Sequence, residues 1–137
     1  MTAKEYLNQV RHLDALIHSR LREIDFWKNL SGSVSGMRND GMPHSPNRPT
    51  EAPFVRCIEK IDEIQRDVAQ KVGLLVAIRD KVNTAIDKLA DRDEQLVLRY
   101  RYLDNLSWAE ISMMMNVSER TVYRIHGTAL QNFSVPN

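Results

Sequence analysis

The sequence predicts an all-α protein: a long antiparallel helical hairpin of coiled-coil type, followed by a three-helix module built around a helix-turn-helix. Three observations lead there. Apolar residues recur at alternating spacings of four and three along two long stretches, the signature of helices with one apolar stripe. A tract rich in glycine, proline and serine, residues 31–50, separates those stretches. Beyond residue 90, helix starts led by Asp or Ser follow one another closely, as in a cluster of short helices.

The first helix is expected from Thr2 to Leu30. Thr2-Ala3-Lys4-Glu5 reads as a capping box, in which a hydroxyl and a carboxylate satisfy the free amides of a helix start. Its stripe is Tyr6, Val10, Leu13, Ile17, Ile24 and Trp27, with a polar gap at Arg20. Residues 31–50 hold three of the five glycines and three of the five prolines. Such a tract cannot supply a packed core, so a flexible loop is expected. The second helix starts near Pro53, where proline suits a first turn. Its stripe is Phe54, Ile58, Ile61, Val68, Val72, Leu75, Val82, Ile86 and Leu89, interrupted at Gln65 and Arg79 beside Ile64 and Ile78. At ~1.5 Å per residue it is on the order of 50 Å long. Folded back on each other, two such helices bury little surface. Residues 1–88 are therefore expected to be an oligomerisation hairpin, with a homo-oligomer, a dimer first, as the assembly.

Residues 89–137 differ in character. Asp91-Arg92-Asp93-Glu94 opens a helix with acids in its first turn, where the dipole favours them. Leu96, Val97, Tyr100 and Leu103 are its apolar residues, and Asp104-Asn105 its end. Ser107-Trp108-Ala109-Glu110 is a second capping box, starting a short helix with Trp108, Ile111 and Met114. Met115-Asn116-Val117 makes a turn, and Ser118 caps a last helix bearing Val122, Ile125, Ala129, Leu130 and Phe133. Val117, Val122 and Ile125 should face inward with Ile111. Glu119, Arg120, Thr121, Tyr123 and Arg124 should face out. Two short helices joined by so tight a turn let the first hold the second at a fixed angle, with its opening turns in a DNA major groove. Arg can there bond guanine bidentately, and Thr can meet a thymine methyl group or a phosphate. Capping serines and free helix-start amides can grip phosphate.

These residues carry a family resemblance. Leu89 through Arg99-Tyr100, then Ser107-Trp108-Ala109-Glu110-Ile111-Ser112, then Val117, Ser118, Val122, Ile125, Ala129, Leu130 and Phe133 together resemble region 4 of sigma-70-type factors. The resemblance covers residues 89–133. It implies double-stranded DNA as partner, with Arg120, Thr121, Tyr123 and Arg124 at groove-reading positions and Ser107 and Ser118 at phosphate-contacting caps. RNA polymerase is a second partner it suggests. The chain departs from the family pattern at Thr128, Gln131 and Asn132, where basic residues are usual, and at Glu119. The whole layout is similar to the ArpU- and RinA-like late-gene activators of phages and prophages of low-GC Gram-positive bacteria, which implies transcriptional control of phage late genes.

Charge weighs against tight binding by one copy. The 137 residues carry a net charge of +1, and the six basic and six acidic side chains of residues 88–137 cancel. Phosphate neutralisation supplies most nonspecific affinity, so a dimer or a complex with polymerase is expected to be the working form. Two other classes fit the pattern: a phage small terminase subunit, expected as a large ring, and a polymerase-binding adaptor without direct DNA contact. No phosphate-cradling glycine loop, paired Cys/His site or nucleophile-base arrangement stands in the sequence, so neither an enzyme nor a metal or cofactor site is expected. His12, His18, His44 and His126 lack metal spacing, and His126 is placed on the exposed side of the last helix as a weaker phosphate candidate. Cys57 reads as core filler and fits a reducing compartment. Trp108 and Tyr100 read as core anchors, and Met113-Met114-Met115 as adaptable packing with one or two side chains exposed. Without an apolar run of spanning length or a signal-peptide core, a soluble cytoplasmic protein is expected, with no membrane partner.

Overall fold

A computed structural model describes residues 1–38 and 51–137, with side chains over 1–33 and 52–137. Among the described residues there are five α-helices and no strand: α1 Ala3–Arg38, α2 Glu51–Asp87, α3 Arg92–Leu98, α4 Trp108–Met115 and α5 Glu119–Asn132. A π-helical turn, Arg99–Leu103, continues α3. None of these helices is long and apolar enough to cross a membrane.

The first capping box forms as the sequence predicts. Glu5 N–H donates to Thr2 Oγ1 at 3.1 Å and Thr2 N donates to Glu5 Oε2 at 3.3 Å. The helix, however, runs eight residues past its expected end at Leu30. Glycines at 32 and 36 cost roughly 1 kcal/mol each. An existing helix still elongates without a new nucleation penalty, and the first proline beyond Leu30 is Pro43. The remainder of the expected loop, residues 39–50 with His44, lies outside the described residues.

The chain divides into two compact units, Met1–Asp14 with Leu74–Asn137, and Ala15–Gly73. The boundary expected at 88/89 is thus not where the packing breaks. In the first unit, Leu7 and Val10 of α1 and Val82, Ala85 and Ile86 of α2 share one core with Leu89, Leu98, Tyr102, Leu103, Ala129 and Phe133. The start of α1 lies against the end of α2, as an antiparallel pair requires. A second core, Val97, Ile111, Val122 and Ile125, is flanked by Tyr100, Leu106, Trp108 and Met115. The C-terminal helices therefore have two apolar faces. Their own residues cover one of them, and the ends of α1 and α2 cover the other.

Asp104 N–H donates to Arg99 O at 3.0 Å, a bond that adds one residue to the turn. Tyr102 and Leu103 within this turn are both buried. Leu7 and Leu98, fully buried, stood outside the expected stripes, whereas Ile58, Val72, Leu96, Met114 and Val117 are exposed. The four-three rhythm locates a stripe only to within one position on a helix surface. The partner's position chooses between neighbours.

In the unit Ala15–Gly73, Ile17, Ile24, Cys57 and Ile64 are buried. Arg20 joins α1 to α2 through Asp67 (Nε–Oδ2, 3.1 Å) and also pairs with Glu23 at 2.8 Å. Asp67 in turn accepts from Lys71 at 2.8 Å. Leu21, Phe26, Leu30, Val55, Ile58 and Val72 leave apolar surface exposed in this unit.

Candidate nucleic-acid interface

Each helix of the C-terminal module starts on a side-chain cap. Asp91 accepts from the amides of Asp93 (2.7 Å) and Glu94 (3.3 Å) and opens α3. Ser107 accepts from Glu110 N–H at 3.1 Å and opens α4. Ser118 accepts from Thr121 N–H at 3.2 Å and opens α5. The turn between α4 and α5 closes on Asn116, left-handed at φ 57°. Val117 N–H returns to Ser112 O at 3.1 Å, which satisfies a carbonyl at the end of α4. Asparagine accepts that backbone at less cost than most residues. Loss of the α5 cap in Ser118→Ala is expected to lower stability by about 1 kcal/mol, read as a shift of the urea midpoint without a change in slope.

α5 buries Val122, Ile125, His126 and Ala129 and exposes Glu119, Arg120, Tyr123, Arg124, Thr128 and Gln131. The expected outward residues Arg120, Tyr123 and Arg124 thus share one open face. Thr121 is half-buried, its hydroxyl 2.9 Å from Ser118 Oγ. Ser107 donates its own proton to Glu110 Oε1 at 3.0 Å. What the α4 cap leaves for a phosphate is therefore the backbone amides of the first turn, not the serine hydroxyl.

His126 is the clear departure from expectation. It is 8% exposed, because its position on α5 turns it toward the π-turn rather than to solvent. Its Nε2 and the Tyr102 hydroxyl are hydrogen-bonded at 2.7 Å, with the donor set by the ring tautomer. The two rings stack at 5.7 Å, and His126 meets Trp108 in a T-shaped contact at 4.7 Å. Trp108 also contacts the Tyr123 ring at 5.1 Å. The Arg101 guanidinium lies 4.2 Å from its centroid, a cation–π contact. Trp108 is therefore the anchor the sequence suggests, and it packs against Tyr123 as well.

Burial, then the charges of Lys4 and Arg101, push the His126 ring down from 6.5 to about 4. Below pH 6.5 the unfolded chain takes up a proton that the folded chain refuses. Stability is expected to fall by up to about 1.4 kcal/mol per pH unit as pH drops from 6.5 toward 4. Thermal melts at pH 7 and 5 should show this loss for the native chain and a smaller one for His126→Gln.

A capped helix, a left-handed turn and a second capped helix with an open face carrying Arg120 and Arg124 are the parts of a groove-reading unit. Residues 85–133 match the family model of Sigma-70, region 4. The C-terminal module is a sigma-70 region 4-like helix-turn-helix, a DNA-binding fold. Comparison with curated proteins and with solved structures gives no match. The match starts at Ala85, four residues before the expected Leu89, and so takes in the last turn of α2 that belongs to the module's core.

Around this region 4-like module, the long-range partners of Asn105, and any role for Arg101 and Arg11, are not legible in the sequence. Asn105, left-handed at φ 58°, accepts from Arg11 Nε at 3.3 Å and donates to Asp14 Oδ2 at 2.5 Å. More than ninety residues of chain separate these partners, so no local pattern could have paired them. Among the described residues no cluster of three or more His, Cys, Asp or Glu could hold a metal ion.

Proposed function

We propose that this chain is a sequence-reading transcription regulator that lays α5 in the DNA major groove. Arg120, Thr121, Tyr123 and Arg124 face the base edges, and the first-turn amides of α4 and α5, at Ser107 and Ser118, face phosphates. One observation carries the reading: an open α5 face with Arg120 and Arg124, held by a capped turn, inside a segment that matches sigma-70 region 4. Control of phage or prophage genes is the finer form of the proposal, supported by the likeness of the layout to late-gene activators.

The working form we infer is a homodimer. Exposed Leu21, Phe26, Ile58 and Val72 favour self-association, and a module of balanced charge gains from a second copy. Sedimentation at micromolar concentration should give twice the chain mass. A ring of many copies would favour the packaging subunit instead. RNA polymerase is the second partner we infer. Met113 and Met114 stand 81% and 61% exposed on α4, and adaptable methionines suit a protein contact.

The test is a polarisation titration of the full chain against duplexes from its own genomic neighbourhood, at two salt concentrations. Saturable binding to one duplex, weakened by salt and by Arg124→Ala, is expected. Absence of binding to every duplex would overturn groove reading in favour of the adaptor, and the titration repeated with polymerase present would then show an interaction.

A further inference from the structure

The geometry points to a phosphate seat built from Arg11 and Arg101 beside the start of α4, so that a residue of the N-terminal helix, outside the family match, grips the DNA backbone. This inference rests on the DNA-binding reading above.

Two anchors tie the guanidinium groups to consecutive residues. Arg11 Nε donates to the side chain of Asn105 at 3.3 Å, and Arg101 Nη1 donates to the carbonyl of Leu106 at 3.2 Å. Asn105 and Leu106 are consecutive and immediately precede the Ser107 cap. Both arginines are half-buried, so neither sweeps freely through solvent. Arg101 is further held by the face of Trp108. Its proton affinity is lowered first by burial and then by the Arg11 charge.

Neither makes a salt bridge among the described residues, unlike Arg99, which pairs with Asp87 at 2.6 Å. Of the carboxylates at this end of α4, Asp14 accepts from Asn105 and Glu110 accepts from Ser107. Arg11 and Arg101 are neighbouring half-buried cations, and an anion bound between them lowers their mutual repulsion beyond what Asp14, across Asn105, already offsets. Each guanidinium keeps donors uncommitted, in the fork geometry that suits phosphate. The first helix of a helix-turn-helix crosses the DNA backbone, which brings a phosphate to this end of α4. The seat also addresses the neutral charge of residues 88–137, since one of its two cations is supplied from α1.

The experiment is a salt series of titrations with the full-length chain, using its specific duplex and a random duplex of equal length. In Arg11→Gln, affinity is expected to fall by about threefold to tenfold for both duplexes, and the log–log salt slope to drop by about one. Arg11→Lys keeps the charge and alters the bond to Asn105, so it is expected to retain the slope. Arg66→Gln, which breaks a surface pair with Asp62, is expected to change neither. Wild-type binding with an unchanged slope in Arg11→Gln overturns the seat and leaves groove reading intact. Equal slope losses in the Lys and Gln variants also overturn it, because Arg11 would then act only by holding Asn105. Failure of the wild-type chain to bind any duplex overturns the DNA reading and the seat with it.

Discussion

Alanine at both Arg120 and Arg124 is expected to erase discrimination between the specific and a random duplex while leaving the fold unchanged. The two residues lie four apart on α5 and are exposed, so they stand one above the other on one helix face. Neither is in a salt bridge among the described residues. An arginine that reads guanine contributes about 1–3 kcal/mol of discrimination. For two independent contacts the loss amounts to about two to four orders of magnitude in specific affinity. The buried face of α5, Val122, Ile125, His126 and Ala129, is untouched, and surface changes of this kind move stability by about 0.5 kcal/mol or less. The readout is the affinity ratio between the two duplexes, with a thermal melt as control. A retained ratio in the doubly substituted chain, with an unaltered melt, would remove α5 from the groove.

Leu7→Ala is expected to destabilise the C-terminal module by about 2–5 kcal/mol, although Leu7 lies in the first two turns of the chain. Its side chain is fully buried in the cluster that contains Leu98, Tyr102, Leu103, Ala129 and Phe133. Truncation would leave a cavity against helices that cannot close over it, since α3 and α5 are also fixed to each other through Asn132 Nδ2 donating to Glu94 Oε1 at 2.8 Å. Denaturation followed by Trp108 fluorescence, in a Trp27→Phe background, reads this unit. Ile58→Ala is the contrast: that residue is 48% exposed and should cost about 0.5 kcal/mol or less. A Trp108 transition unmoved by Leu7→Ala would mean that α1 is not part of the module.

The contrast between Leu7 and Ile58 shows what a sequence can and cannot say. Periodicity identified both long helices, and the caps at Thr2, Ser107 and Ser118 were legible because capping is a local matter of one side chain and the next three amides. The helix end at Asn105 and the turn at Asn116 were legible for the same reason, and so was the open face of α5 with Arg120, Tyr123 and Arg124. The end of α1 lies beyond Leu30 because glycine and serine lower helix propensity without forbidding the helix.

The helical class, the caps, the turn between α4 and α5, and the likeness to sigma-70 region 4 all depend on residues close together along the chain, and so they can be read from the sequence. The tertiary structure alone decided that the first fourteen residues belong with the C-terminal helices, that His126 turns inward to Tyr102, and that Arg11 reaches Asn105. Those outcomes depend on which apolar faces remain uncovered once the short helices have packed. Their second face, Leu98, Tyr102, Leu103, Ala129 and Phe133, had to be buried against something. The ends of α1 and α2 cover it, and the polar contacts beside α4 follow from that placement.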